Sequence, residues 1–317
     1  MNAYKIAKYL MKKFETYPVS PEVEIGECNE VFHHRCFLNG SESARKEIML
    51  KSSLSKYQNE LENPWDRYLN VDLTPLLRGK VVLDLGCFTG GRTIAWFEKY
   101  DLKHIVGIDI SQIYIDAAKQ FSEMKKGNAD FKLAKGEGLP FENDKFDAIL
   151  SYDVFEHVQE LGETLNECYR VLKKGGKLIV VFPGYFHPLE HHLDFVTKLP
   201  VIHYFFNGKI LIRAYHEICE DRGDEAYWYK RNSDRLETWE KGNTLNGTTF
   251  RKFRELIKKN SWAIISHNKK PIGSLMRNRS KNIAFRLISY IGRPLVHVPL
   301  LEEIFTNRIV YILEKME

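Results

Sequence analysis

The chain has 317 residues, of which 44% are hydrophobic and 28% charged, a composition that supports a sizeable core and excludes a disordered or fibrous protein. Lys and Arg number 47 against 42 Asp and Glu, a surplus of +5 that is too small for a dedicated nucleic-acid binder. The five cysteines are scattered with no Cys-x-x-Cys pair, which excludes a disulfide scaffold; with no signal-like or membrane-spanning apolar segment, we expect a soluble, cytoplasmic protein.

In chain order, the first predicted element is an amphipathic helix, with Ala3, Ile6, Ala7, Leu10, Phe14 and Tyr17 on one face and Lys5, Lys8 and Lys12 on the other. We expect it to cap the core with its lysines in solvent; a membrane-surface anchor is the alternative. Cys28 and Cys36 flank His33 and His34, but their spacing matches no closed zinc motif. A second helical stretch covers Ser41 to Leu69. From Lys80 the pattern changes to short apolar runs, VVLDL, IVGID, FDAILSY and KLIVVFP, which suit buried strands of a parallel sheet. They alternate with helical segments around Thr93 to Tyr100, Ile113 to Met124 and Leu161 to Leu172, and this β-α-β-α-β-α-β order predicts a doubly wound α/β sheet.

After Pro183 the period is lost in an aromatic- and histidine-rich segment, about Gly184 to Asn246, which reads as an inserted substrate lid whose Tyr185, Tyr204 and Trp228 could stack on a sugar or a ring. A helix over Thr248 to Lys259 and strands at SWAIISH and RIVYILEK complete the chain. Between those strands, Lys269, Lys270, Arg277, Arg279, Lys281, Arg286 and Arg293 occur without an acidic residue among them, a solvated face or a contact for phosphate or anionic lipid. The expected division is an N-terminal helical cap (1–75), a core (76–183), the lid (184–247) and a C-terminal part of the core sheet (248–317) with a basic helical insertion at about 269–305.

Within the core, VVLDLGCFTGG is a strand that ends in a glycine turn and opens a helix, bringing backbone N–H groups against a ligand. Its spacing is not that of a nicotinamide fingerprint. Asp84 suits a ligand carrying a cationic amine and Asp109 suits a ribose diol, so an amino acid joined to a nucleoside fits both. This run, followed by GIDIS, GEGLPFENDKFDAILSYDVFEHV and RVLKKGGKLIVVFP, resembles the class I S-adenosylmethionine-dependent methyltransferases, in particular the type 11-like small-molecule and glycan group. The resemblance implies a Rossmann-like methyltransferase sheet with S-adenosylmethionine as cofactor. It places the loop at Gly86, Cys87 and Gly90, the motif acid at Asp84 and the ribose acid at Asp109. Ile110, Gly136 and Glu137 then lie on the adenine side, and Ser151 joins the cofactor set. Two positions depart from the family: Phe88 replaces a loop glycine, and Lys135 replaces an acid near the adenine.

Methyl transfer is an in-line displacement in which the protein must align the nucleophile and receive its proton. After FDAILSY the chain has neither an Asn-Pro-Pro-Tyr motif nor a cysteine, which argues against amino-methylation of DNA bases and against cytosine C5 chemistry. Asp153, Glu156 and His157 fall at i, i+3 and i+4, which on a helix start puts them on one face, where they could hold a divalent metal. The element is similar to one in ubiquinone-biosynthesis O-methyltransferases and RNA 3'-terminal 2'-O-methyltransferases. In FHPLEHHLDF, His192 is the best match for a further ligand. In a metal-free version, one of His187, His191 or His192 is the general base, and His192, His191, His157 and Asp153 form the candidate catalytic set. The expected function is O-methylation of a hydroxylated small molecule, sugar or glycan, metal-assisted or not. RNA 2'-O-methylation and a cofactor-binding partner subunit without turnover are the alternatives, and a peripheral membrane contact stays open.

Overall fold

In the computed structural model, which describes residues 2–15, 41–188, 190–191, 193, 196–197, 199–221, 246–272, 290–299 and 301–316, seven strands form one sheet. β1 (Val81–Leu85), β2 (His104–Asp109), β3 (Ala129–Leu133), β4 (Phe146–Tyr152) and β5 (Leu172–Phe182) pair in parallel. β7 (Thr306–Lys315) runs antiparallel between β5 and β6 (Trp262–Pro271), which gives the order β3-β2-β1-β4-β5-β7-β6.

Successive strand residues point to opposite faces, and both faces are buried, which is why the strands read as continuous apolar runs. Leu83, Ile149 and Val180 meet helices α6 (Leu161–Val171) and α9 (Phe250–Lys259) on one side. Val82, Leu150 and Ile179 meet Trp65, Leu77 and Trp96 on the other, the last from α4 (Gly91–Lys99). The doubly wound arrangement expected from the strand rhythm is therefore present.

Several elements differ from expectation. β3 was not predicted, because ADFKL buries only Phe131 and carries no apolar run. The stretch from Ser41 divides at Pro64 into α2 (Glu42–Glu62) and a short 3-10 turn at Trp65–Tyr68, since Pro64 is extended. β6 continues to Pro271, so Lys269 and Lys270 belong to a strand, and the described helical residues of the expected basic insertion are 290–295 and 302–305.

The helices of the segment expected as an N-terminal cap pack in two different places. α1 (Ala3–Lys13) rests on α8 (Gly208–Asp221), which lies in the segment expected as a lid, and not on the sheet, with Met11 buried among Leu193, Leu211 and Ile218. Two of its three expected solvent lysines are instead paired, Lys8 donating to Glu217 at 3.0 Å and Lys12 to Asp221 at 2.7 Å, while Lys5 is exposed. α2 instead packs on the start of α4, where a Cβ on Gly91 would stand 1.9 Å from the Ser53 carbonyl oxygen. Among the described residues, no helix is long and apolar enough to cross a membrane.

Candidate functional site

The sheet order reverses between β1 and β4, and the crevice at the carboxyl ends of those strands is where open α/β sheets bind ligands. β1 runs into a turn in which Gly86 (φ +86°), Phe88 (φ +51°) and Gly90 (φ +74°) are left-handed. Glycine is required at position 86 for a second reason, since a Cβ there would approach Val154 to 2.2 Å. The Gly86 and Cys87 N–H groups both donate to the Ile108 carbonyl at 2.9 Å, locking the turn to β2. Phe88 is held in its strained conformation by its ring against Tyr114, at 4.4 Å, and by its N–H on Asp109 Oδ2, at 3.1 Å.

Asp109 is half-buried, its Oδ1 accepting from the Ser111 N–H at 3.0 Å, and the adjacent Ile110 is 55% exposed. An oriented carboxylate beside an open apolar side chain fits a ligand that combines a ribose diol with a base. Asp84 is buried and accepts from Thr93 Oγ1 at 2.5 Å; burial pushes its carboxyl up to about 7, against the opposing pull of Thr93 and Arg92. Arg92 pairs with the buried Glu60 of α2 at 3.3 Å and lies 4.2 Å from the centre of the Tyr152 ring, so α2 helps to build this crevice. Ser151 donates to the Leu85 carbonyl at 3.2 Å, and burial pushes the Cys87 thiol up. Gly136 packs on Thr164, and Glu137 accepts from the N–H groups of Gln159 and Glu160 at 2.8 and 3.2 Å, so both seat the start of α6.

The edge beyond β4 differs from the sequence reading. Residues 153–158 form a turn and not a helix start, and Asp153 is left-handed at φ +56°. Asp153, Glu156 and His157 therefore do not share a helical face. Arg308, at the start of β7, donates its Nε to Asp153 Oδ1 at 2.8 Å and its Nη2 to Oδ2 at 3.3 Å, and its Nη1 to Glu190 of the lid at 2.8 Å. A guanidinium thus occupies the carboxylate that a metal set would need, and among the described residues no three His, Cys, Asp or Glu side chains gather to hold a metal ion. His192 lies outside the described residues, as do Cys28, Cys36, Trp228 and the cations from Arg277 to Arg286.

Glu156 is buried, and its Oε2 has no hydrogen-bond partner among the described residues. Burial, reinforced by the Asp153 carboxylate, pushes Glu156 well above the usual carboxylate range. His157 Nε2 stands 3.9 Å from Glu156 Oε1. In the lid, His187, His191 and His203 are buried, which pushes them down to about 4, 4 and 3 and keeps them neutral near pH 7. His187 Nδ1 accepts from the Glu190 N–H at 3.0 Å, and His191 Nδ1 from the Leu193 N–H at 3.1 Å. Each has committed that nitrogen to shaping the lid, a local role the sequence did not indicate.

Five residues absent from the sequence reading build this region: Arg308, Glu190, His203, Asn246 and Glu303. Asn246 clamps the turn after β4, donating from Nδ2 to the carbonyls of Phe155 and Val158, both at 2.7 Å. Glu303 joins the two ends of the lid by accepting from the N–H groups of Phe186 at 2.9 Å and Phe250 at 3.0 Å. The available signal was a pair of charged residues, Glu302 and Glu303, and a lone Arg308, all flanking an apolar strand. Lys269 is not a free cation of the expected basic run, since it pairs with Glu302 at 2.5 Å, and Lys270 donates to Asn70 at 2.7 Å.

Residues 83–180 match the family model Methyltransf_11, a methyltransferase domain. Over 167 residues the chain is 33% identical to phosphoethanolamine N-methyltransferase 3 of Arabidopsis thaliana, covering 52% of this chain and 33% of that protein. It is 31% identical over 112 residues to a ubiquinone biosynthesis O-methyltransferase of Coxiella burnetii, covering 35% of this chain and 46% of that protein. The first relatives are thus matched over only 22% to 46% of their own length. A geranyl diphosphate methyltransferase solved in complex with SAM superposes on 88% of this chain and 94% of its own at 13% identity, with a TM-score of 0.48.

Proposed function

We propose, from the premise that residues 83–180 are a class I S-adenosylmethionine-dependent methyltransferase domain, that the whole chain methylates a hydroxyl group of a small molecule or sugar held between the carboxyl edge of the sheet and the lid. Asp109 and Ile110 would hold the nucleoside end of the cofactor, and the Gly86 to Gly90 turn with Asp84 its amino-acid end. When bound, S-adenosylmethionine supplies a methyl group on a sulfonium centre, the electrophile of an in-line displacement.

The observation that carries the hydroxyl reading is Glu156. A buried carboxyl oxygen without a partner is costly, and a hydroxyl of the acceptor would supply the missing donor. Because its pKa is raised, the deprotonated form is a stronger base than an ordinary carboxylate and suits removal of a hydroxyl proton. Arg308 holds Asp153 beside it and ties Glu190, hence the lid, to the sheet. The neutral histidines of the lid give the acceptor an uncharged wall that excludes water.

One observation favours a second reading, an amine acceptor: two carboxylates, Asp153 and Glu190, share Arg308, a surplus of negative charge that an ammonium group would balance.

The test is calorimetric titration of S-adenosylhomocysteine into the wild type and Asp109→Ala, followed by transfer of labelled methyl from S-adenosylmethionine to a panel of catechols, diols, sugars and primary amines, with and without chelator. Binding by the wild type that weakens in Asp109→Ala, with label on oxygen in the presence of chelator and loss in Glu156→Gln, is the expected result. Label on nitrogen would replace the hydroxyl reading with the second one, and failure of the wild type to bind would sink both.

A further inference from the structure

We propose that the face formed by α7 (Ile202–Phe205) and residues 290–298 docks peripherally on an anionic lipid surface, a property independent of the acceptor chemistry above. Phe205 is 76% exposed, Tyr290 75%, Ile291 56%, Phe186 42% and Val298 40%. Single exposed apolar residues are ordinary on a protein surface. These five, however, lie on segments held together by one short helix, α10 (Glu302–Phe305). Glu303 accepts from the Phe186 N–H, and Tyr204, which precedes Phe205, donates its hydroxyl to the Phe186 carbonyl. The Glu302 N–H donates to the Val298 carbonyl at 2.7 Å, and a Cβ on Gly292 would meet the Phe305 ring at 3.4 Å. The apolar side chains thus gather around one edge of the lid.

Among the described residues of these segments, the exposed charged side chains are cations. Lys209 and Arg293 are exposed, whereas the nearby acids are engaged: Glu302 pairs with Arg254 and Lys269, Glu303 takes two backbone N–H groups, and Glu190 pairs with Arg308. Aromatic and aliphatic side chains flanked by uncompensated cations are complementary to a headgroup layer that is negative at its surface and apolar beneath. A protein partner would have to supply the same combination of an apolar patch and anionic rim.

The experiment is flotation of the full chain with phosphatidylcholine vesicles, with and without phosphatidylglycerol. The wild type should float only with phosphatidylglycerol and be released by salt. The double variant Phe205→Ser, Ile291→Ser should bind about tenfold more weakly with unchanged thermal unfolding, because it removes two inserted side chains. Arg293→Glu, which leaves the apolar set intact, should weaken binding in the same direction. Failure of the wild type to float would overturn the proposal. So would flotation unaffected by both variants, which would place the contact elsewhere, or self-association that the double variant abolishes without flotation, which would make the face a protein interface.

Discussion

Arg308 and Asp153 are 155 residues apart in the chain, yet they meet through two hydrogen bonds at 2.8 and 3.3 Å that join the start of β7 to the end of β4. Arg308 is 8% exposed, and burial alone would lower its pKa; the carboxylates of Asp153 and Glu190 more than offset that and hold it well above the usual range. Removing one partner of a buried pair leaves the other charge desolvated, which costs about 3–5 kcal/mol in fully buried cases. The Asp153 side chain is 30% exposed, so we expect Arg308→Leu to cost about 2 kcal/mol. Adding Asp153→Asn should recover a good part of that loss. Urea unfolding of the two single variants and the double variant checks this, and additive losses would mean that the pair is not coupled.

The core of this fold was legible because buried parallel strands write themselves as uninterrupted apolar runs, and VVLDL, IVGID, FDAILSY and KLIVVFP all became strands. β3 was invisible for the opposite reason: at the sheet edge only Phe131 is buried, and ADFKL has no periodic signature. The turn after β1 was readable because it needs glycine for steric reasons, as Gly86 shows against Val154. The acceptor edge was not. Spacing alone put Asp153, Glu156 and His157 on a helix, but the left-handed backbone at Asp153 and the distant Arg308 decide where those side chains go. Long-range partners such as Arg308, Asn246 and Glu303 leave no local pattern to read.

Glu303 gives a prediction about the lid. Its two oxygens each accept one backbone N–H, from Phe186 where the lid leaves the sheet and from Phe250 where the chain returns. Glu303→Gln keeps one acceptor and turns the other into a donor, leaving one of those N–H groups without a partner. The expected cost is about 1–3 kcal/mol, concentrated on the lid. Limited proteolysis should cut between residues 184 and 246 faster in the variant, while calorimetric binding of S-adenosylhomocysteine stays as in the wild type. Equal cutting rates would show that the lid is held elsewhere.

The buried histidines make the lid sensitive to acid. His203 titrates at about 3 in the folded chain against 6.5 as a free side chain, because burial disfavours its charged form. The unfolded chain then binds the extra proton first as pH falls, so the stability His203 contributes is present above pH 6.5 and is lost toward pH 3, at about 1.4 kcal/mol per pH unit. Asp84 and Glu303, whose pKa values are raised by burial, act in the opposite sense as pH rises, so the informative quantity is a difference between variant and parent. Thermal unfolding of His203→Phe should fall less steeply than that of the wild type between pH 6.5 and 4. Parallel curves would mean that His203 is solvated in the folded protein.

Gly91 carries the last prediction, because it joins α2 to the turn proposed to hold the cofactor. It is the first residue of α4, and its missing side chain lets α2 approach so closely that a Cβ would lie 1.9 Å from the Ser53 carbonyl oxygen and 2.9 Å from the Tyr57 nitrogen. Both neighbours are backbone atoms of a helix and cannot turn aside. Gly91→Ala must therefore push α2 away as a unit, loosening the Ser53 hydroxyl from the Thr89 carbonyl, now 2.7 Å apart, and Glu60 from Arg92. Overpacking of this kind costs about 1–3 kcal/mol. Since Thr89 lies in the turn itself, the loss should also appear as weaker S-adenosylhomocysteine binding. Gly79→Ala provides the contrast: nothing lies within 4 Å of its Cβ position, so only the strain of its left-handed backbone, φ +69°, is felt. We expect Gly79→Ala to lower the unfolding temperature without changing the binding constant, and Gly91→Ala to change both. Unaltered binding in Gly91→Ala would separate α2 from the cofactor site.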